Sequence, residues 1–500
     1  MITLIMLIPA ATAVLLPLFA GRPNVREGTT LLGAVLLFAT VLQLMPLVLA
    51  GETPELPVWT VIPGLTIAFS VEPLGMLFAA IASGLWILNS IYSIGYMRAE
   101  QAHRQTLFYV CFALALAATM GIALAGNLFT LFLFYELLTF TTWPLVTHRA
   151  TREARDAGRL YLLMLFGAST MLLLPAIAWT GLAAGTLDFT PGGILAGNVG
   201  GIGLGILLAL YVFGTAKAAV MPVHFWLPAA MVAPTPVSAL LHAVAVVKAG
   251  VFTILKVIVY IFGAETLAAS DRANWLVVVA GITVIAASLI ALRQDNLKRR
   301  LAYSTISQLS YVILGAALFT PLAILGAALH IAAHAVSKIT LFFAAGSVHV
   351  GAHVDDISRM DGIGRRMPFT MGAFTIGSLS MIGVPPTAGF LGKWFILIAA
   401  LQVKEWFVVA VIVVSTLLNA GYFLPIVYRA FARAPAKGEG RIAESPWPMV
   451  ASLVITAAVT VFLFVWPGAP FQLAEMLAGN AAIDASGSSV VEFPLEGGFR

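Results

Sequence analysis

KAAVMPVHFWLPAAMVAPTPVSALLHAVAVVKAG, residues 217–250, decides how the chain is read. Lys217 and Lys248 stand near the two ends of a stretch that is otherwise mostly apolar, and Pro222 and Pro228 interrupt it. Proline removes a backbone hydrogen bond, so a broken apolar segment is tolerated at membrane depth only where protein or a water-filled cavity satisfies the freed groups. A lysine flanked by apolar residues on both sides must pair or line a hydrated path, since a central charge costs about 2.5 to 3.5 kcal/mol on insertion scales. The segment reads as broken membrane helix with chemistry in it, although its part from Pro222 to Pro236 also closes the loop between the seventh and eighth spans on the inner side.

The whole chain agrees with that reading. Its 500 residues are 60% hydrophobic and 10% charged, and its mean hydropathy is +0.99, whereas soluble domains carry about a quarter charged residues. At about 20 apolar residues per bilayer crossing there is room for well over ten helices, which excludes a single-span receptor or a lipid-anchored enzyme. A transmembrane β-barrel would show short alternating segments instead of long continuous runs. Cys111 is the one cysteine, so there is no intrachain disulfide and no cysteine metal cluster. The opening MITLIMLIPAATAVLLPLFAGR lacks a basic leader and reads as a first span, not a signal peptide.

Fourteen apolar spans follow: near 2–20, 29–50, 72–94, 107–124, 126–147, 160–183, 201–221, 236–260, 274–292, 301–319, 321–347, 369–402, 405–428 and 447–467. The charges test this count. Of 27 Lys and Arg residues, 19 fall in loops 1/2, 3/4, 5/6, 9/10, 11/12 and 13/14, from Arg22 to Arg441, while the alternate loops and the tail hold Arg272, Lys404 and Arg500. The positive-inside rule then puts both termini outside. The basic surplus is topological and does not mark a nucleic-acid partner.

Five basic residues remain, all inside spans: Lys217, Lys248, Lys256, Lys338 and Lys393, joined by one carboxylate, Glu136, in LFLFYELLTF. Snorkelling to an interface is the alternative for Lys256 and Lys338. His330, His334 and Lys338 recur every four residues in LHIAAHAVSKIT and so project from one helical face, while His242 precedes Lys248 by six. Imidazole takes and gives protons near neutral pH, which suits a relay; a hydrogen-bonded core histidine is the alternative for His242. Ammonium is no metal ligand, so the trio is not read as a metal site. Lys393 follows GVPPTAGFLG as Lys217 precedes MPVHFWLP, and paired broken helices in two halves point to an inverted-repeat transporter. No cofactor motif appears: there is neither a phosphate-binding glycine loop nor a metal-ligand cluster.

Residues 217–250, together with NLKRRLAYSTISQLSYVILG (296–315), HAVSKITLFFAAGSVHV (334–350) and GVPPTAGFLGKW (383–394), resemble the proton-translocating antiporter-like subunits shared by respiratory complex I, membrane-bound hydrogenases and Mrp-type cation/proton antiporters. The similarity runs over about residues 70–435. It implies an all-α fold of fourteen transmembrane helices with two inverted five-helix repeats, each holding a broken helix. The divisions are 1–106 (helices 1–3), 107–260 (helices 4–8), 261–433 (helices 9–13) and 434–500 (helix 14 and a polar tail). The resemblance also implies that Glu136 pairs with Lys217, that Lys248 is the central relay and Lys393 the terminal proton carrier, and that His242, His330, His334 and Lys338 connect them through water.

Within the family, Lys393 departs from the glutamate of the complex I M subunit, no long lateral helix like that of the L subunit is read after span 14, and fourteen spans exceed the bacterial N subunit. Residues 344–394 and NAGYFLPIVYRAF (419–431) look most like the D-type subunits of Mrp antiporters. That implies a bacterial inner-membrane assembly with an A-type partner and small partner subunits, exchanging H⁺ for Na⁺ or K⁺ without a cofactor. With Glu136 as the one deep carboxylate, the cation is expected to pass through a partner or an interface, or near carbonyls freed around Gly383–Gly389. A proton-pumping subunit of an NADH:quinone oxidoreductase or hydrogenase, the proton-driven partner of an inorganic-carbon uptake complex, and a scaffold without transport are the alternatives.

Overall fold

The computed structural model describes residues 1–62, 65–434 and 443–483. Lys437, Arg441 and Arg500, counted above among the loop and tail charges, lie outside the described residues. Among the described residues eleven helices are long and apolar enough to cross a membrane: α1 Ile2–Phe19, α2 Pro23–Leu49, α3 Pro73–Ala99, α4 Gln105–Ala123, α5 Leu128–Val146, α6 Arg152–Ala184, α8 Thr235–Phe262, α9 Asp271–Leu292, α11 Pro321–Ala352, α14 Trp406–Ala432 and α15 Trp447–Val465. Three further spans complete the fourteen. Ile202–Gly214 (α7) is short because the chain breaks after it. Leu297–Ala316 (α10) carries a polar stripe of Ser304, Ser307, Gln308 and Ser310 that lowers its hydropathy. Pro368–Ile382 (α12) and Ala388–Gln402 (α13) are the two halves of the second broken span.

Burial sorts these helices into a centre and a rim. The apolar stretch of α8 is 100% buried and that of α11 94%, against 33% for α1, α2, α6 and α15. The 32-residue α11 is the central pillar, packed on α10, α12, α13, α15, α3 and α8. Exposed large apolar side chains such as Leu18, Met171, Leu182 and Leu417 cover the rim, as lipid or partner contact requires.

Hydrogen bonds between loop ends reproduce the two sides read from the charges. On one side Arg98 pairs with Glu27, Arg26 reaches Gln105, Lys298 reaches the Ala233 carbonyl and Arg429 meets Asp361. On the other, Ser70 N bonds Leu124 O, Leu128 N bonds Leu187 O and Thr190 N bonds Tyr260 O. Three features depart from the sequence reading. Span 2 begins at Pro23, so Arg26 and Glu27 lie inside a helix and are buried. A two-stranded hairpin, β1 Glu55–Ile62 with β2 Leu65–Ser70, fills the second loop. A further helix, α16 Gly468–Ala481, follows the last span where a polar tail was expected, and packs on α3 and α11.

Candidate functional site

Both broken spans place a lysine at their break. After α7, residues Ala216–Ala218 make one tight turn and Ala219 takes a left-handed φ of +56°. Gly250 of α8 lets this turn approach closely, since a Cβ there would stand 2.1 Å from Ala218 N. Lys217 is fully buried; its Nζ donates to the Tyr135 carbonyl at 2.8 Å and to Thr139 Oγ1 at 2.7 Å, and sits 3.3 Å from the centre of the Tyr135 ring.

Glu136 is on the same helix, α5, but among the described residues no ion pair joins it to Lys217. Both its carboxylate oxygens are buried without a hydrogen-bond partner among the described residues. The sequence reading paired the two directly; the structure turns the ammonium instead to a main-chain carbonyl and a threonine one turn away, leaving the carboxylate close enough to act through its charge.

In the second break Gly383 ends α12 with φ +91°. Gly389 and Gly392 then press α13 onto its neighbours: a Cβ on Gly389 would meet Ser380 O at 1.9 Å, and one on Gly392 would meet His330 Cβ at 2.7 Å. Those contacts aim Lys393, whose Nζ donates to the carbonyls of Met381 (2.7 Å) and Ile382 (3.1 Å) at the C-terminus of α12. A helix C-terminus presents unpaired carbonyls and about half a negative charge, so a half-helix can hold an ammonium without a carboxylate.

Between these lysines runs a line of buried polar side chains. Lys248 Nζ hydrogen-bonds His334 Nδ1 at 2.5 Å. The His334 and His330 rings lie 6.3 Å apart. His330 Nε2 donates to Gln308 Oε1 at 3.1 Å, and Gln308 Nε2 to Met381 O at 3.4 Å, the carbonyl that also accepts from Lys393. A side branch meets the same carbonyl: Lys338 Nζ donates to Ser304 Oγ at 2.8 Å, Tyr422 bridges Ser304 to Asn419, and Asn419 Nδ2 donates to Met381 O at 3.4 Å. The fully buried Lys338 does not snorkel.

His242 sits in a π-helical turn, Leu240–Val244, against Phe342. Such turns mark functional positions in many helices. Its two ring nitrogens, with His334 Nε2 and His330 Nδ1, have no partner among the described residues. Buried polar atoms are satisfied somewhere in nearly every native fold, and bridging water is the remaining partner.

Family comparison fits this geometry. A model described as NADH:quinone oxidoreductase/Mrp antiporter, transmembrane, matches residues 125–419, a span that contains every lysine and histidine of the line. The chain belongs to that family. It is 32% identical over 381 residues to NADH-quinone oxidoreductase subunit N of Desulforudis audaxviator, covering 76% of this chain and 75% of that protein. It is 29% identical over 505 residues to the A subunit of the Na(+)/H(+) antiporter of Alkalihalophilus pseudofirmus, covering 92% of this chain but 60% of that longer protein. A chain in the structure of the Mrp complex from Dietzia sp. DQ12-45-1b shares the fold, with a TM-score of 0.84 at 23% identity over 95% of this chain and 96% of that one. The family thus includes subunits of both antiporters and oxidoreductases.

Several members of the site escape sequence reasoning. Gln308, Ser304, Asn419 and Tyr422 are common polar residues whose role comes from where α10 and α14 meet α12. Glu72 had a legible signal: an acidic residue just before Pro73 is a helix N-cap, and it accepts from Leu74 N and Gly75 N. Glu72 is buried and pairs with Lys256 at 3.2 Å. Glu136 is therefore not the one buried carboxylate, and Lys256 does not snorkel.

Proposed function

We propose that this chain is the proton-translocating subunit of a multisubunit monovalent cation/proton antiporter, of the Mrp D type, in a bacterial inner membrane with both termini outside. The observation that carries the proposal is the line Lys248–His334–His330–Gln308–Lys393. Each of its lysines and histidines can gain and lose a proton, and among the described residues none of them is neutralised by a carboxylate within hydrogen-bond reach. A permanently charged structural network would be built of acid–base pairs; an unpaired line of bases holds few protons at once and passes them on. Repulsion between neighbouring cations couples the occupancies, so the sites titrate as a set.

In this reading Glu136 acts on Lys217 through space. An ionised carboxylate favours the ammonium and its neutralisation favours the amine; a neutral Lys217 relieves the repulsion felt by Lys248. Residues 107–260 and 261–433 would then be the two functional halves, Lys217 gating the first and Lys393 terminating the second. His242 and Lys338 supply side connections.

The similarity to an oxidoreductase N subunit supports a second reading, in which redox chemistry on partner chains drives the same path. Tagged protein purified from its own membranes, with its partners identified, separates the two. Small membrane partners together with Na⁺- or K⁺-linked proton exchange support the antiporter; quinone-reductase partners and NADH-dependent pumping support the alternative.

A further inference from the structure

The Lys256–Glu72 pair belongs to neither broken helix, and it closes the inner end of a polar cavity. That cavity measures about 490 Å³ and is lined by Glu55, Ser70, Asp188, Thr190, Glu72 and Lys256 among others. Its walls are the hairpin, the turn between α4 and α5, and the segment after α6, all on the side opposite the basic loops.

The floor is built, not incidental. Lys256 Nζ is fully buried and donates to the Ala125 carbonyl at 2.8 Å, beside Glu72 Oε1 at 3.2 Å and 4.3 Å from the Phe189 ring centre. Tyr260 OH donates to Glu72 Oε2 at 3.0 Å, and Asn480 of α16 donates to Tyr260 OH at 3.0 Å. Glu72 accepts from two main-chain amides of α3, which fixes its carboxylate beside the ammonium. Stability alone is a weak reason to keep such a buried pair, because desolvating two charges costs about as much as their attraction returns. Glu72 touches the cavity, with 8% of its side chain exposed, and the fully buried Lys256 lies behind it. Lys256 also lies eight residues beyond Lys248 on α8, about 12 Å along the axis.

We propose that this cavity is an outer mouth of the proton path in the first half, and that Lys256 and Glu72 exchange protons with the outer solution there. The proposal rests on the proton-translocating reading above. The Lys256 ammonium gives its proton to the Glu72 carboxylate, leaving amine and carboxylic acid; the acid gives it to a cavity water, leaving carboxylate and hydronium. Uptake is the reverse, and no other bond changes. The other titratable groups facing the pair are Tyr260, Asp188 and Glu55.

Two variants of the whole assembly test it. Lys256→Arg keeps the ion pair but not a proton that leaves, so a structural pair tolerates it, whereas a proton port loses roughly tenfold or more of the exchange rate. Thr190→Cys puts a thiol at the exposed cavity wall of a protein whose one native cysteine, Cys111, is buried. Labelling intact cells with a charged, impermeant thiol reagent before everting the membranes is expected to give a similar loss, with the unlabelled variant active. Full rate in Lys256→Arg overturns the proposal, as does full rate after complete labelling. Blocking by the label with an active Lys256→Arg puts a cation in the cavity instead and also overturns it. Lys248→Ala separates the two levels: if it is inactive while Lys256→Arg and the labelled protein are active, only the outer mouth fails; if wild type moves no protons, the functional reading fails.

Discussion

The two broken helices each present a lysine, and they hold it in different ways. Lys217 is bonded to the mid-helix carbonyl of Tyr135 and to Thr139, and the Glu136 carboxylate on the same helix has no hydrogen-bond partner among the described residues. Lys393 is bonded to the terminal carbonyls of its own broken span, and its hydrogen-bond partners among the described residues include no carboxylate. A carboxylate can be neutralised, so the first site can be switched by a proton or a neighbouring charge. A helix end cannot, so the occupancy of the second depends on what the histidine line delivers.

The largest expected effect breaks the comparison at the switch. Glu136→Gln keeps the shape and removes the charge, and exchange is expected to fall roughly 100-fold, while the protein still assembles; rates near wild type would make the two lysine sites equivalent and Glu136 idle. Next, Gly383→Ala forces a Cβ to 2.9 Å from Lys393 Cδ at φ +91°, which is expected to cost about 1 to 3 kcal/mol and to disturb the second lysine. Its counterpart Ala219→Gly relieves φ +56° and is expected to be neutral or to stabilise by up to about 1 kcal/mol. Thermal unfolding of the purified assembly reads both, and equal effects would erase the contrast.

Gln308→Leu cuts the bridge from His330 to Met381 and is expected to slow exchange about tenfold without affecting the Lys217 side. The smallest effect lies at the basic-loop face. His349 Nδ1 hydrogen-bonds Asp355, and this holds the Asp355 carboxyl below the usual carboxylate range. A carboxyl whose folded value is depressed stabilises above its unfolded value and loses that contribution as pH falls through the folded one. Because the aspartate is 45% exposed, Asp355→Asn is expected to cost under about 1 kcal/mol near neutral pH and nothing in strong acid. A pH-independent difference in unfolding temperature contradicts this.

Much of this was legible from residues 217–250 and the placement of charges, because membrane helices obey one strong rule: the backbone satisfies itself and charges stay out unless used. The fourteen spans and two breaks follow from it. The hairpin and α16 do not, since neither has to cross the membrane and their packing is tertiary. At the site, the lysines and histidines stand out by charge alone, whereas Gln308 and Asn419 matter only through the Met381 carbonyl they share. The expected Glu136–Lys217 ion pair is not made for a local reason: Tyr135 and Thr139 face the turn at Lys217, and Glu136 flanks them, about 100° around the helix from Tyr135 and about 60° from Thr139.

The central claim is that protons pass along the line joined at Lys248 and His334. Everted membranes carrying the complete assembly, energised to an acid interior, report cation-driven proton efflux as recovery of a pH-sensitive dye. With Lys248→Ala present at wild-type amount and with its partners bound, addition of Na⁺ or K⁺ is expected to give no recovery. Recovery at the wild-type rate would contradict that claim.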